Sequence, residues 1–207
     1  MSGELPEAWF SRTALEVAPE LLGCELRHDG VAVRITEVEA YMGDVDPGSH
    51  AYRGPNKRNQ AMYGPPGRMY VYWHMGLHHC VNLVCAPEEV AQGVLIRAGE
   101  VIEGVETAMA RRNAAGVCRR EIDLARGPAR LTVALALGLR DNHVPVCQPG
   151  GRATLSGPGS AREVMSGPRV GIGGEGADVE RFPWRYWIAG DPTVSVYKAA
   201  PPPRRAP

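Results

Sequence analysis

The chain has 207 residues with 23 basic and 23 acidic side chains, so its formal net charge is zero. That balance gives no global pull toward nucleic acid but leaves a local basic surface open, and no apolar run approaches the roughly 20 residues of a membrane helix. Its 25 glycines and 18 prolines argue for a turn-rich globular protein over a helix bundle, and a length near 200 suits one domain.

The first ten residues carry no basic region leading into an apolar segment, so no secretory signal is expected. Residues 11–22 predict a helix with Ser11 as N-cap, a kink or break at Pro19 and a stop at Gly23. Leu26 to Tyr41 predicts two strands joined at Asp29-Gly30. Read with period two, Val31, Val33, Ile35, Glu37, Glu39 and Tyr41 share one face, which begins apolar and ends in two acids and an aromatic. A buried carboxylate costs several kcal/mol unless it is paired. Two readings follow: an ion pair with an arginine, or catalysis.

Residues 42–68 form a long stretch rich in glycine and proline that carries His50, Arg53, Lys57, Arg58, Asn59 and Arg68 with Tyr52 and Tyr63 interleaved. Long irregular loops inside a compact chain are uncommon and often functional. This one is either a solvated basic loop or a surface for phosphate and base contacts. Met69–Met75, Val81–Cys85 and Gly93–Ala98 predict strands, the last two joined through an acidic turn at Pro87-Glu88-Glu89. Arg97 lies on the third, where it would suit a buried carboxylate. Helices are predicted at Glu103–Asn113, ending in Arg111-Arg112, and at Pro128–Leu139. Residues 141–167 are turn-rich with a short strand near Ala153–Leu155. Arg169–Gly174 is a strand or turn, Trp184–Ala189 a strand, Val194–Tyr197 a short terminal strand, and 199–207 a disordered Pro/Arg tail.

Other chemistries find little support. His74, His78, His79, Cys80 and Cys85 are clustered but match no zinc-ligand spacing, so no metal and no cofactor is expected. No GxSxG is present, and the glycines at 171, 173 and 174 lack a dinucleotide fingerprint. Cys24, Cys80, Cys85, Cys118 and Cys147 are odd in number and form no CxxC, which fits reduced thiols in a cytosolic protein.

The run ITEVEAYMGDVDPGSHAYRGPNKRNQAMYGPPGRMYVYWHMGLHHCVNLV, then VLIRAGEVIEG, RGPARLTVALAL, RVGIG and WRYWIAGDPTVSV, resembles the alkyladenine (3-methyladenine) DNA glycosylase family over residues 12–198. The resemblance implies an α/β fold of α+β type: a single compact domain, residues 1–198, around a curved, mainly antiparallel sheet with flanking helices and long loops. It implies monofunctional hydrolysis of the N-glycosidic bond of alkylated or deaminated purines after base flipping, in base excision repair. Glu39 matches the general base for the attacking water. Arg97 matches the arginine that helps hold Glu39 and that water, and the backbone carbonyl of Val170 matches a third contact to it. Tyr41, His50 and Tyr72 match the residues that sandwich the flipped base, and Asn82 the residue that crowds the amino group of guanine. Arg58 and Asn59 fall in a pair assigned to the DNA-binding loop. Met75 stands where the family commonly has a tyrosine wedge; methionine is also among the apolar wedges inserted between base steps. The expected partner is double-stranded DNA containing damaged purines. A monomer in the cytoplasm, associated with the nucleoid in a bacterium, is expected. A lesion-binding protein that does not cut would keep the aromatics but lose Glu39; a metal-dependent hydrolase would use His74, His78 and Cys80. The preferred lesion and the protonation state of His50 stay open.

Overall fold

The protein, as a computed structural model, is described over residues 3–157 and 163–200. A two-residue strand, β1 (Gly3–Glu4), and a single helical turn, α1 (Glu7–Phe10), precede helix α2 (Ala14–Glu20). One helix from Ser11 was expected; instead Ser11 closes α1, and Thr13 caps α2. The Thr13 N–H donates to the Glu16 carboxylate at 3.0 Å, and the Thr13 hydroxyl accepts from the Glu16 N–H at 3.4 Å. This reciprocal box satisfies two donors a helix start leaves orphaned, and it outcompetes Ser11. Pro19 sits one residue before the end of α2, so its missing N–H interrupts a single bond and does not split the helix.

Strands β2 (Glu25–His28) and β3 (Val31–Tyr41) follow, joined by Asp29 and Gly30, both at positive φ as the tightest hairpin turn demands. Then come β4 (Met69–His74), β5 (His78–Cys85), β6 (Gln92–Glu103), α3 (Val105–Ala114), α4 (Pro128–Ala134), β7 (Ala153–Gly157), β8 (Val164–Gly167) and β9 (Arg185–Ile188). The strands pair antiparallel in one curved sheet, ordered β1-β7-β2-β3-β6-β5-β4, with β9 against both β3 and β8. This is the α+β architecture the sequence led one to expect.

The sheet is built on β3. Residues 31–34 pair with β2, residues 37–39 pair with β9 on that same side, and β6 runs along the whole opposite side. The register with β6 slips near Ala32 and again on either side of Glu37, and such bulges bend and twist a strand. Gly99 faces this irregularity: a Cβ there would lie 2.3 Å from Val33 Cγ1 and 2.5 Å from the Arg34 carbonyl. Ala32, Val38 and Ala40 are as buried as Val33 and Ile35. The alternating face read from the sequence is therefore half of a strand packed on both sides.

Several boundaries differ from expectation. β5 and β6 extend beyond 81–85 and 93–98. α4 ends at Ala134, not Leu139, because Leu137 N–H bonds the Thr132 carbonyl at 2.8 Å and Ala136, at φ 53°, bonds Val133. This is the double C-terminal closure usually made with glycine. Residues 169–174 are a turn, and 194–197 form no strand. The tail from 201 lies outside the described residues. Among those described, no helix is long and apolar enough to cross a membrane.

The long 42–68 loop is anchored by a small core of its own, Ala51, Ala61 and Met62 against Tyr70, Val84 and Ala91. Its start is held by a buried ion pair in which Arg169 grips Asp46 at 2.6 and 2.7 Å. A Cβ on Gly48 would sit 2.5 Å from the Arg169 guanidinium, so the loop crosses this pair only as glycine.

Candidate active site

Strands β3 and β6 bring Glu37, Glu39 and Arg97 together in the sheet. Both carboxylates are fully buried. The Arg97 Nε donates to Glu37 Oε1 at 3.0 Å, and its Nη1 lies 3.5 Å from Glu39 Oε1. Burial works against the charge on Arg97, but Glu39 and Glu37 outweigh it and raise its pKa. Two further donors reach Glu39: the Val170 N–H bonds Oε1 at 2.7 Å, and the Tyr41 hydroxyl bonds Oε2 at 2.8 Å. The contact the structure shows for Val170 is thus made by its N–H to Glu39.

Glu39 opens into a cavity of about 140 Å³. Tyr41, His50, Tyr72, Asn82, Arg97 and Val170 all line it, although they come from β3, the long loop, β4, β5, β6 and the 169–174 turn. Tyr72 stacks on Tyr70 with ring centres 5.1 Å apart, and His50 stands edge-on to Tyr72 at 4.6 Å. Asn82 is buried, with its amide 3.3 Å from the Tyr70 carbonyl.

The imidazole, phenol and thiol groups of the walls are held neutral. Burial first, then the charges of Arg58 and His74, push His50 down to about 4. Its Nδ1 lies 3.1 Å from the Tyr70 hydroxyl. Burial lifts the Tyr70 phenol to about 12 and the Cys80 thiol to about 11, and raises Tyr72 further still. Tyr41 rises well above its ordinary value through burial and the Glu39 charge. An ionised Glu39 would therefore face neutral aromatic walls.

The β4–β5 hairpin stands at the cavity mouth, with His74 and His78 lining it. At its tip Met75 and Gly76 both take positive φ, and the Leu77 N–H returns to the His74 carbonyl at 2.9 Å. Met75 is 78 % exposed and Leu77 74 %, beside a half-exposed Trp73, so an apolar knob projects next to the opening. His74 and His78 face each other across this hairpin, while His79 packs edge-on against Trp73. The exposed Arg58 lies 5.0 Å from the centre of the Tyr72 ring. Its neighbour Asn59 is fully buried and donates to the carbonyls of His50 and Gly54 at 2.9 and 3.1 Å, which braces the loop that carries His50.

Some supporting residues escaped the sequence reading. Asp46 lies within the EAYMGDVDPGSH run, and Arg169 precedes Val170, yet nothing in their spacing of 123 residues announces a pair. Arg185 and Ser195 both bond Glu37, and only the aligned β9 strand could have suggested the first.

The methylpurine-DNA glycosylase (MPG) family matches residues 8–192 of the chain. A protein of Leifsonia xyli subsp. xyli is 50 % identical over 200 residues, covering 93 % of this chain and 92 % of its own. One of Streptomyces avermitilis is 50 % identical over 208 residues, covering 97 % and 95 %. One of Corynebacterium efficiens is 48 % identical over 196 residues, covering 95 % and 98 %. All three bear the name "Putative 3-methyladenine DNA glycosylase". With that match over most of its length, the chain belongs to the methylpurine-DNA glycosylase family and is a DNA glycosylase, a hydrolase whose substrate is DNA.

Proposed function

We propose that the protein is a monofunctional glycosylase that flips an alkylated or deaminated purine out of duplex DNA and hydrolyses its N-glycosidic bond. One observation carries this reading: Glu39, buried, bonded by Tyr41 and Val170 and ion-paired with Arg97, opens into a cavity walled by Tyr41, His50 and Tyr72. Glu39 takes a proton from the attacking water and stabilises the positive charge that develops on the sugar. Arg97 orients that water, and the Val170 N–H keeps Oε1 in place. The flat walls stack on the flipped base, each contact worth about 1–3 kcal/mol and tolerant of varied lesions. Asn82 crowds the amino group of normal guanine. Met75 fills the gap in the duplex, while Arg58, exposed beside Tyr72, meets the DNA backbone and Asn59 holds its loop.

A purine alkylated at N3 or N7 already carries a positive charge and leaves without a proton. A neutral purine such as hypoxanthine needs one, and His50, pushed down to about 4 by burial, is a weak source at pH 7. The chain has two lysines, Lys57 and Lys198, and neither lines the cavity, so the product is an abasic site and not a cleaved strand. The protein acts as a monomer in the cytoplasm, on nucleoid DNA in a bacterial cell. The test is single-turnover base release from duplexes that each carry one lesion, with strand scission scored before and after alkali. Wild type releases the base and leaves alkali-labile DNA. Glu39→Gln loses at least about 100-fold in rate, and a Glu39→Gln protein at wild-type speed overturns the mechanism.

A further inference from the structure

Donors from three distant parts of the chain converge on the buried carboxylate of Glu37. Arg97 Nε at 3.0 Å, Arg185 Nε at 2.6 Å and the Ser195 hydroxyl at 3.0 Å meet Oε1, and the Ser195 N–H meets Oε2 at 2.8 Å. They belong to β6, β9 and the C-terminal segment, 60, 148 and 158 residues from Glu37. Glu37 does not line the cavity, but Arg97 does. With Nε taken by Glu37, the guanidinium plane is fixed. Nη1 then stops 3.5 Å from Glu39 Oε1, beyond the reach of a good direct hydrogen bond.

That separation has a chemical consequence. An arginine that grips a carboxylate through two short bonds draws off its proton affinity, and a general base works through that affinity. Arg97 released from Glu37 would close on Glu39 in this way. We infer that Glu37 is a positioning residue for the hydrolysis: it holds Arg97 with Nη1 toward the cavity, yet short of a direct bond to Glu39, so that Glu39 stays basic and Arg97 stays free to orient the water. The inference rests on the reading of Glu39 as the general base. It also gives the segment around Ser195, where a strand was expected, a task at the site.

The test is the pH dependence of single-turnover excision from a duplex carrying 7-methylguanine, whose cationic base needs no proton to leave. The charged and titratable groups around Glu39 besides Glu37 are Arg97 on β6, Arg185 on β9, Tyr41 on β3, Cys80 on β5 and Arg169 in the 169–174 turn. All of them remain in Glu37→Gln, so a moved acid limb reports Glu37. Removal of a like charge and release of Arg97 both favour ionised Glu39. The limb should therefore move to lower pH, with a plateau rate at least about 10-fold lower. Affinity for a duplex containing an abasic-site analogue should hold within about two-fold, since stacking and DNA contacts are untouched. A wild-type acid limb, whatever the melting temperature, makes Glu37 an ordinary buried acid and overturns the inference. Because loss of the Glu37 charge alone would also lower the limb, the charge-balanced Glu37→Gln/Arg185→Gln separates charge from positioning: a lowered limb there supports the inference and a wild-type limb ends it. An inactive Glu39→Gln beside a wild-type limb in Glu37→Gln ends this inference alone. A fully active Glu39→Gln ends the general-base reading as well.

Discussion

The Arg169 guanidinium lies 4.7 Å from the centre of the Tyr41 ring while it grips Asp46 with two nitrogens. Arg169 does not line the cavity and Tyr41 does, so the cation backs the ring from behind. The next residue, Val170, donates its N–H to Glu39. One buried ion pair thus sets both the wall and one of the donors that hold Glu39.

Loss of one partner leaves the other charged, buried and unpaired. Asp46→Asn should cost about 3–5 kcal/mol in unfolding free energy, measured by denaturant titration. The double variant Asp46→Asn/Arg169→Met removes the charge together with its counterpart and should cost less than Asp46→Asn alone. A single variant as stable as wild type would mean that the pair contributes nothing to holding the loop.

Tyr41 serves twice, as a ring and as a donor, and Tyr41→Phe separates the two. The ring stays, and Glu39 Oε2 loses its 2.8 Å donor. Without that donor the carboxylate is no longer held in one orientation, which outweighs its gain in proton affinity, so the excision rate should fall several-fold while lesion binding holds. The lost donor had favoured the ionised carboxylate, so the acid limb should move to higher pH, opposite to the shift expected for Glu37→Gln. A Tyr41→Phe enzyme with an unmoved limb would limit Tyr41 to stacking.

His50 should titrate near 4 when followed by NMR, because burial and the charges of Arg58 and His74 oppose its protonation. The sign of its effect on stability follows. A pKa that is lower in the folded state means the unfolded chain binds the proton more readily. The contribution of His50 to stability is complete above its unfolded value of about 6.5 and is lost as pH falls from there toward about 4. His50→Gln should flatten that part of the stability curve. A titration near 6.5 in the native protein would return His50 to contention as the acid for neutral purines.

Met75 is exposed and sits at φ 49°, so its substitution should barely change stability while it alters base flipping. Met75→Ala should keep the melting temperature within about 1 °C, as expected for a surface position, and should weaken binding to a lesion duplex several-fold. Met75→Tyr puts an aromatic plane at the hairpin tip and, with Met75 as the wedge, should slow product release. If flipping equilibrium and turnover are the same in all three proteins, Met75 is not the wedge.

Local features of this protein were legible in one dimension because their causes are local. Asp29-Gly30 announces its hairpin through the left-handed backbone that two such residues tolerate. β3, β4 and β9 show in their β-branched and aromatic runs, and the irregular 42–68 segment in its glycines and prolines. Errors arose where two local signals competed. Ser11 and Thr13 are both good caps, and the Glu16 side chain decided for Thr13. Leu135 to Leu139 continues an apolar pattern, but Ala136 adopts the left-handed conformation and closes α4 early. The segment 194–197 has strand composition, yet its Ser195 N–H and hydroxyl are engaged by Glu37 and are not available to a neighbouring strand.

The sequence by itself determined the chemistry on offer: a buried-looking strand that ends in Glu37, Glu39 and Tyr41, an arginine on a second strand, and aromatic side chains within a basic loop. Those follow from side-chain type and the two-residue period of a strand. The family resemblance singled out Glu39 of the two acids, and the tertiary structure supplied the physical difference between them. Glu39 opens to the cavity with three donors around it, whereas Glu37 lies behind it among Arg97, Arg185 and Ser195. The same is true of His50, which is neutral because of what surrounds it. The behaviour of a buried charge is set by all the groups within a few ångströms, and here those groups come from strands and turns as much as 158 residues away, a proximity that only the closing of the sheet creates.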